Sequence, residues 1–363
     1  METFEHERVV VTRGERTGLT VIVAVHSTAL GQAAGGCRMW RYDSWRDGLR
    51  DALRLSEAMT YKSALAGLPL GGGKSVIALP PAYELTGSER RDVMLDLGDV
   101  VESLHGTYGV AEDVGTTAED MLVASERTRY AYCLPESAGG SGEPSAPTAV
   151  GVYEAILATC EHVFGEPTVD GRRCTVVGLG QVGGRLARRL AADGAELFVS
   201  DVDVPKRGLA DELGATWLEP SAAYRHPTDV LVPAALGGVL TPATVASLQC
   251  RAIVGPANNQ LATDDVAELL AARDIVWAPD FVVNAGGVLY GALVDVAGAP
   301  PDEALEQVRR IGQTLREVLT LAADRSQTPY AAAMSLARAR IAAAKTPAQE
   351  VAAPTTAAPA AAR

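Results

Sequence analysis

Two lysines twelve residues apart, Lys62 and Lys74, flank a stretch that ends in Gly71-Gly72-Gly73, and Asp113 stands in Ala111-Glu-Asp113-Val-Gly-Thr-Thr. Two amines and a carboxylate drawn into one cleft can hold an anionic substrate and move its protons. An ammonium fixes a carboxylate by charge-assisted hydrogen bonds. Burial and a second nearby cation lower a lysine pKa toward neutrality, where it serves as a base. The three glycines read as a turn that admits φ > 0 and close backbone approach, with Lys74 where it enters a strand. The same residues also fit a surface turn with a solvated lysine, and Asp113 fits a turn or cap. The rest of the chain decides between these readings.

Three further groups carry chemistry. Gly35-Gly36 can offer backbone N–H groups to an anion, or merely bend a strand. Gly178-Leu-Gly180-Gln181-Val182-Gly183 follows the apolar run Arg173–Val177 and opens a helical pattern, and the next strand, Glu196–Asp201, ends in a carboxylate. This is G-x-G-x-x-G in its strand–turn–helix context, with an acid about 20 residues on, so it predicts a dinucleotide site. An Asp201 on the ribose 2′-hydroxyl would favour NAD over NADP. Asn258 and Asn284 fall in loops after short strands, where open α/β sheets bind ligands, although Asn and Gly are also ordinary turn residues.

The elements that must position these groups follow from periodicity. Strands are expected over 9–12 and 19–26, and a helix starts after the N-cap Ser44, with Met59 and Lys62 on its last turns. Another helix covers 88–104, and Thr116 with Glu119 has capping-box spacing. The Gly/Ser/Pro-rich segment 135–147 reads as a hinge loop, and a helix resumes at Thr148. Strands at 173–177, 196–201, 230–232, 252–254 and 275–277 alternate with helices, the signature of a parallel sheet. Helical stretches at 302–323 and 328–345 close the chain. The fold class is therefore α/β in two domains with a cleft between them: a substrate domain, 1–145, and a Rossmann NAD-binding domain, 146–325. Helix 326–345 is expected to pack back on the first domain, and the Ala/Pro-rich 346–363 to be a disordered tail.

Bulk composition narrows the partners. A net charge of −13 over 363 residues argues against nucleic acid or an anionic membrane. No apolar run approaches the ~20 residues of a membrane helix, and the charged N-terminus lacks a signal-peptide core. Five cysteines and five histidines are scattered without metal-ligand spacing, as expected for reduced cytoplasmic thiols and no metal site.

Together the motifs make the chain resemble the glutamate/leucine/phenylalanine/valine dehydrogenase superfamily, from about Val21 to Gln327. The resemblance rests on Gly35-Gly36-Cys-Arg-Met39, Met59-Thr-Tyr-Lys62, Gly71-Gly-Gly-Lys74, Ala111-Glu-Asp113, Thr148-Ala-Val-Gly151, Gly178–Gly183, Ala257-Asn258-Asn259-Gln260 and Asn284-Ala-Gly-Gly287. It implies a homo-oligomeric enzyme performing reversible NAD-linked oxidative deamination of an L-amino acid to the 2-oxo acid and ammonia. By motif, it implies Lys74 and Asp113 as catalytic, and Gly35, Gly36, Met59, Lys62 and Ala111 on the substrate. Thr148, Gly178, Gly180, Gln181, Val182, Gly183, Asp201, Asn258 and Asn284 fall to the cofactor. Glutamate-specific relatives carry a lysine where Ala34 stands. Without that cation a glutamate side chain would bury an unpaired charge, so the substrate is expected to be apolar. Branched aliphatic side chains rank ahead of phenylalanine, although small Ala34 and Gly291 leave room for more. A catalytically silent NAD-binding regulator is the competing reading from another class. Pro147, directly before Thr148, departs from the family pattern and is expected to restrict the hinge.

Overall fold

The computed structural model describes residues 4–345; the expected tail, 346–363, lies outside them. The first lobe is built from β1 (Arg8–Arg13), β2 (Thr20–Ser27), β3 (Ala33–Arg41), α1 (Trp45–Leu65), β4 (Gly71–Leu79), α2 (Gly87–Glu102), β5 (Tyr108–Glu112) and α3 (Ala118–Ser125). Its sheet runs β1-β2-β4-β3-β5. β4 pairs antiparallel to β2 and parallel to β3, and β3 pairs parallel to β5. Alternation along β2 divides the core. Val21, Val23 and Val25 meet α2 and α3, whereas Ile22 and Ala24 meet Ala52 of α1 across the other face.

α1 begins where expected. Ser44 accepts from Arg46 N, and Asp47 Oδ2 accepts from Ser44 N at 3.0 Å, closing a capping box. The glycines before Lys74 are not the expected turn. All three lie inside β4, a strand buried along its whole length, and none has positive φ. Each is glycine because a neighbour occupies the place of its Cβ. That atom would stand 2.0 Å from Ser27 O at Gly71, 2.0 Å from Thr60 Oγ1 at Gly72 and 2.5 Å from the Tyr108 ring at Gly73. Close packing was mistaken for turn chemistry, because glycine serves both.

The second lobe opens with α4 (Ser145–Phe164), so Pro147 occupies the first turn of a helix instead of a loop. There its missing N–H breaks no intrahelical bond. β6 (Arg173–Val177), α5 (Gln181–Ala192), β7 (Glu196–Ser200), α6 (Arg207–Leu213), β8 (Thr216–Trp217), α7 (Pro220–Ala223), β9 (Val230–Pro233), α8 (Pro242–Ser247), β10 (Ala252–Ile253), α9 (Val266–Ala271) and β11 (Val276–Trp277) follow. Their parallel sheet has the order β8-β7-β6-β9-β10-β11, the doubly wound Rossmann arrangement.

α10 (Asp280–Val283) and the start of α11 (Gly286–Gly291) stand where a loop around Asn284 was expected, and α11 runs on into a π-helical turn, Ala292–Val296. The stretch expected as one helix over 302–323 divides at Arg310 into α12 (Pro301–Arg309) and α13 (Ile311–Asp324). α14 (Pro329–Lys345) lies against α1, and Arg340 Nη1 donates to Ala64 O at 3.1 Å and Leu65 O at 2.8 Å. These are carbonyls of the last turn of α1, which has no further helix to satisfy them.

Candidate active site

On α1, Leu55, Ala58, Met59 and Lys62 follow i, i+3, i+4, i+7 spacing and therefore share one face. That face lines a cavity of about 460 Å³ between the lobes. Gly35 and Gly36 of β3, Lys74 of β4, and Ala111 and Asp113 at the end of β5 line it from the first lobe. Thr148, Val182, Asn258 and Asn284 line it from the second. Gly178, Gly180, Gln181, Gly183 and Asp201 are not in this lining; they gather at the β6–α5 turn and the end of β7.

Lys74 is buried, and its Nζ donates to Asp113 Oδ2 at 2.7 Å. Arg38 Nε reaches the same oxygen at 3.3 Å while its Nη1 holds Asp51 at 2.8 Å. Burial alone would raise the Asp113 pKa, but Lys74 and then Arg38 hold it below the usual carboxylate range. Thr116 does not cap α3. Thr117 caps it, with Asp120 as its capping-box partner. Thr116 Oγ1 accepts from Asp113 N at 2.9 Å and donates to Cys37 O at 2.8 Å, fixing the backbone beneath the carboxylate.

Lys62 has no ion-pair partner among the described residues; its Nζ stands 3.5 Å from Asn258 Oδ1. Burial pulls its pKa down to about 8, opposed by the charge of Asp280 and aided by Lys74. Asn258 Oδ1 also accepts from Asn284 Nδ2 at 2.8 Å. Asn284 lines the cavity, and its Oδ1 is buried with no hydrogen-bond partner.

The fingerprint glycines separate by role. Gly178 has φ +105, a turn open to glycine. A Cβ on Gly183 would stand 2.0 Å from Gly178 O, so it lets α5 approach β6. A Cβ on Gly180 would meet nothing within 4 Å, which leaves open space at the N-terminus of a helix that has no side-chain cap. Its free N–H groups and positive dipole end suit a pyrophosphate. Asp201 is already engaged by Leu179 N at 2.6 Å, Asp203 N at 2.9 Å and Lys206 Nζ at 3.0 Å. Burial would raise its pKa, and these donors hold it low.

Four cavity residues were not singled out from sequence. Arg38 lies within Gly35-Gly36-Cys-Arg-Met39, where the paired glycines carry the signal. Asp280 is buried, and burial raises its pKa against backbone donors at Gln260 and Phe281. The Glu112 pKa is pushed up to about 7 by burial, then by Glu143 and Glu119. Tyr132 lies over Gly109, where a Cβ would stand 2.3 Å from its ring, and its hydroxyl donates to Gln32. Outside the cavity lining, Glu5, His26 and Glu57 bring ligand-type atoms within 4.8 Å of one another, a grouping their sequence spacing does not announce.

Residues 3–131 match the model of the Glu/Leu/Phe/Val dehydrogenase dimerisation domain, and residues 198–348 match that of glutamate/leucine/phenylalanine/valine dehydrogenase. The chain belongs to the Glu/Leu/Phe/Val dehydrogenase family. It is 39% identical to leucine dehydrogenase of Bacillus cereus, across 95% of this chain and 93% of that one. It is 38% identical to phenylalanine dehydrogenase of Bacillus thermotolerans, across 86% and 82%. The crystal structure of L-tryptophan dehydrogenase from Nostoc punctiforme superposes with a TM-score of 0.81 at 36% identity, covering 94% of this chain and 97% of that one. Membership makes the chain an oxidoreductase of the amino-acid dehydrogenase type.

Proposed function

We propose that the chain catalyses reversible, NAD-dependent oxidative deamination of an apolar L-amino acid, with Val, Leu and Ile favoured. The observation that carries this reading is the buried Lys74–Asp113 pair at 2.7 Å beside Lys62, a cation that lacks a protein carboxylate. Lys62 and the Gly35–Gly36 backbone take the substrate carboxylate. Asp113 receives the proton of the amine. Lys74 then acts as general base on the water that attacks the substrate imine, and ammonia leaves as the 2-oxo acid forms. The bound nicotinamide supplies the acceptor for the hydride from Cα. Thr148, whose Oγ1 donates to Pro144 O at 2.7 Å, Asn258 and Asn284 line the cavity and would hold the nicotinamide. The Gly178–Gly183 turn takes the pyrophosphate and Asp201 the ribose.

Two small residues favour a second reading in which bulkier side chains such as phenylalanine are accepted. Ala34 and Gly291 both line the cavity. We divide the chain at 145/146, in the first turn of α4, and take 326–345 as a separate C-terminal helix that packs back on α1 of the first domain and also meets α13. We further propose a cytoplasmic homo-oligomer; its five cysteines are free, and no helix among the described residues is long and apolar enough to cross a membrane. A panel assay of NAD reduction against each apolar L-amino acid, phenylalanine and glutamate tests the proposal. Turnover with glutamate alone, or with none of the panel, sinks it.

A further inference from the structure

We infer that Asp295 is a positioning residue for substrate side-chain selection, acting through Cys133. This rests on the function proposed above. Asp295 projects from the π-helical turn Ala292–Val296, a rare geometry that recurs at functional sites. Its carboxylate accepts three hydrogen bonds: Cys133 N at 2.6 Å, Ser141 N at 2.7 Å and Ser141 Oγ at 2.8 Å. One side chain thus grips both ends of the 133–141 loop. The loop is tied within itself by Gly142 N to Leu134 O at 3.1 Å, so it moves as a unit.

Cys133 is held at φ +55, a conformation that side chains other than glycine and asparagine resist. A strained residue persists only where its surroundings over-determine it, and the bond from its N–H to Asp295 is such a constraint. The strain has a visible result. Cys133 Sγ stands 3.1 Å from where a Cβ on Gly291 would be, so the two residues form one continuous wall with Ala292 and Val296. That wall is apolar and lines the cavity, whose charged groups, Arg38, Lys62, Lys74, Glu112, Asp113 and Asp280, stand on other elements. The charged groups fix the carboxylate and amine. The wall therefore sets how much room remains for the side chain, and Asp295 sets the wall.

The test is steady-state kinetics of the full-length enzyme with L-valine, L-leucine and L-phenylalanine, comparing wild type, Asp295→Ala and Ser141→Ala. Freed of its anchor, Cys133 relaxes and the wall yields. Discrimination between valine and phenylalanine in kcat/KM should shrink about tenfold in Asp295→Ala, through KM more than kcat, and about two- to threefold in Ser141→Ala. An equal loss for all three substrates, or ratios that do not move, would overturn the inference. If Asp295→Ala does not fold, Ser141→Ala decides alone, and an unchanged ratio there rejects the idea. A wild-type enzyme inactive on every amino acid sinks the proposed function instead; an active one whose ratios ignore Asp295 sinks only this inference.

Discussion

Lys62 and Lys74 are alike in sequence and unlike in surroundings. Lys74 shares a proton-bearing contact with Asp113, and Lys62 waits for an anion. This division leads to two predictions. Lys74→Ala should lower kcat by roughly 10²–10⁴-fold while NADH binding, read by fluorescence titration, stays intact. Near-normal turnover would remove Lys74 from the chemistry. For Lys62 the sign follows from its pKa of about 8: it is charged below that pH and neutral above it. An unreactive analogue such as 4-methylpentanoate, ionised throughout, should inhibit with a constant Ki below pH 8, weakening about tenfold per unit above it. A flat Ki across pH 7–10 would show that another group holds the carboxylate.

Between helix and strand, the decisive contact is α1 lying on bare β4. Gly72→Ala would push a methyl to within 2.0 Å of Thr60 Oγ1 and 2.3 Å of Thr60 N, two residues before Lys62. It should cost roughly 1–3 kcal/mol in denaturant unfolding and disable turnover as well. Gly180→Ala is the contrast. It has open space around it, so stability should hold within about 0.5 kcal/mol while the Kd for NADH rises. The sequence showed that glycine was needed at both places but not why. Periodicity located α1, its Ser44 cap and the strand–helix alternation of the second lobe, because those signals are local. It missed the strand character of 71–73 and the roles of Thr116, Arg38 and Asp280. Those depend on which distant backbone comes close, and a lone polar residue near a glycine is equally at home in a turn. The helical run 286–296 was hidden by three glycines that local propensity reads as loop.

Across the whole molecule, the cavity exists only because both lobes contribute, and α14 fastens the far end of the chain to the end of the helix bearing Lys62. Arg340 also meets Glu317 at 3.1 Å, joining α13 to that contact. Arg340→Ala should cost about 1–2 kcal/mol and fray the last turn of α1. KM for the amino acid should then rise more than kcat falls, and a variant with wild-type KM would mean that α1 holds its end without help.

The glycine-floored strand has a consequence for how such an enzyme changes over generations. Gly71, Gly72 and Gly73 are each blocked by a different partner, so a single compensating change cannot free more than one of them. Lys74, the proposed base, is therefore carried on a strand nearly closed to variation. The wall of Cys133, Gly291 and Ala292 stands on other elements, so a change there leaves β4 untouched. New substrates can be acquired there without the chemistry being rebuilt.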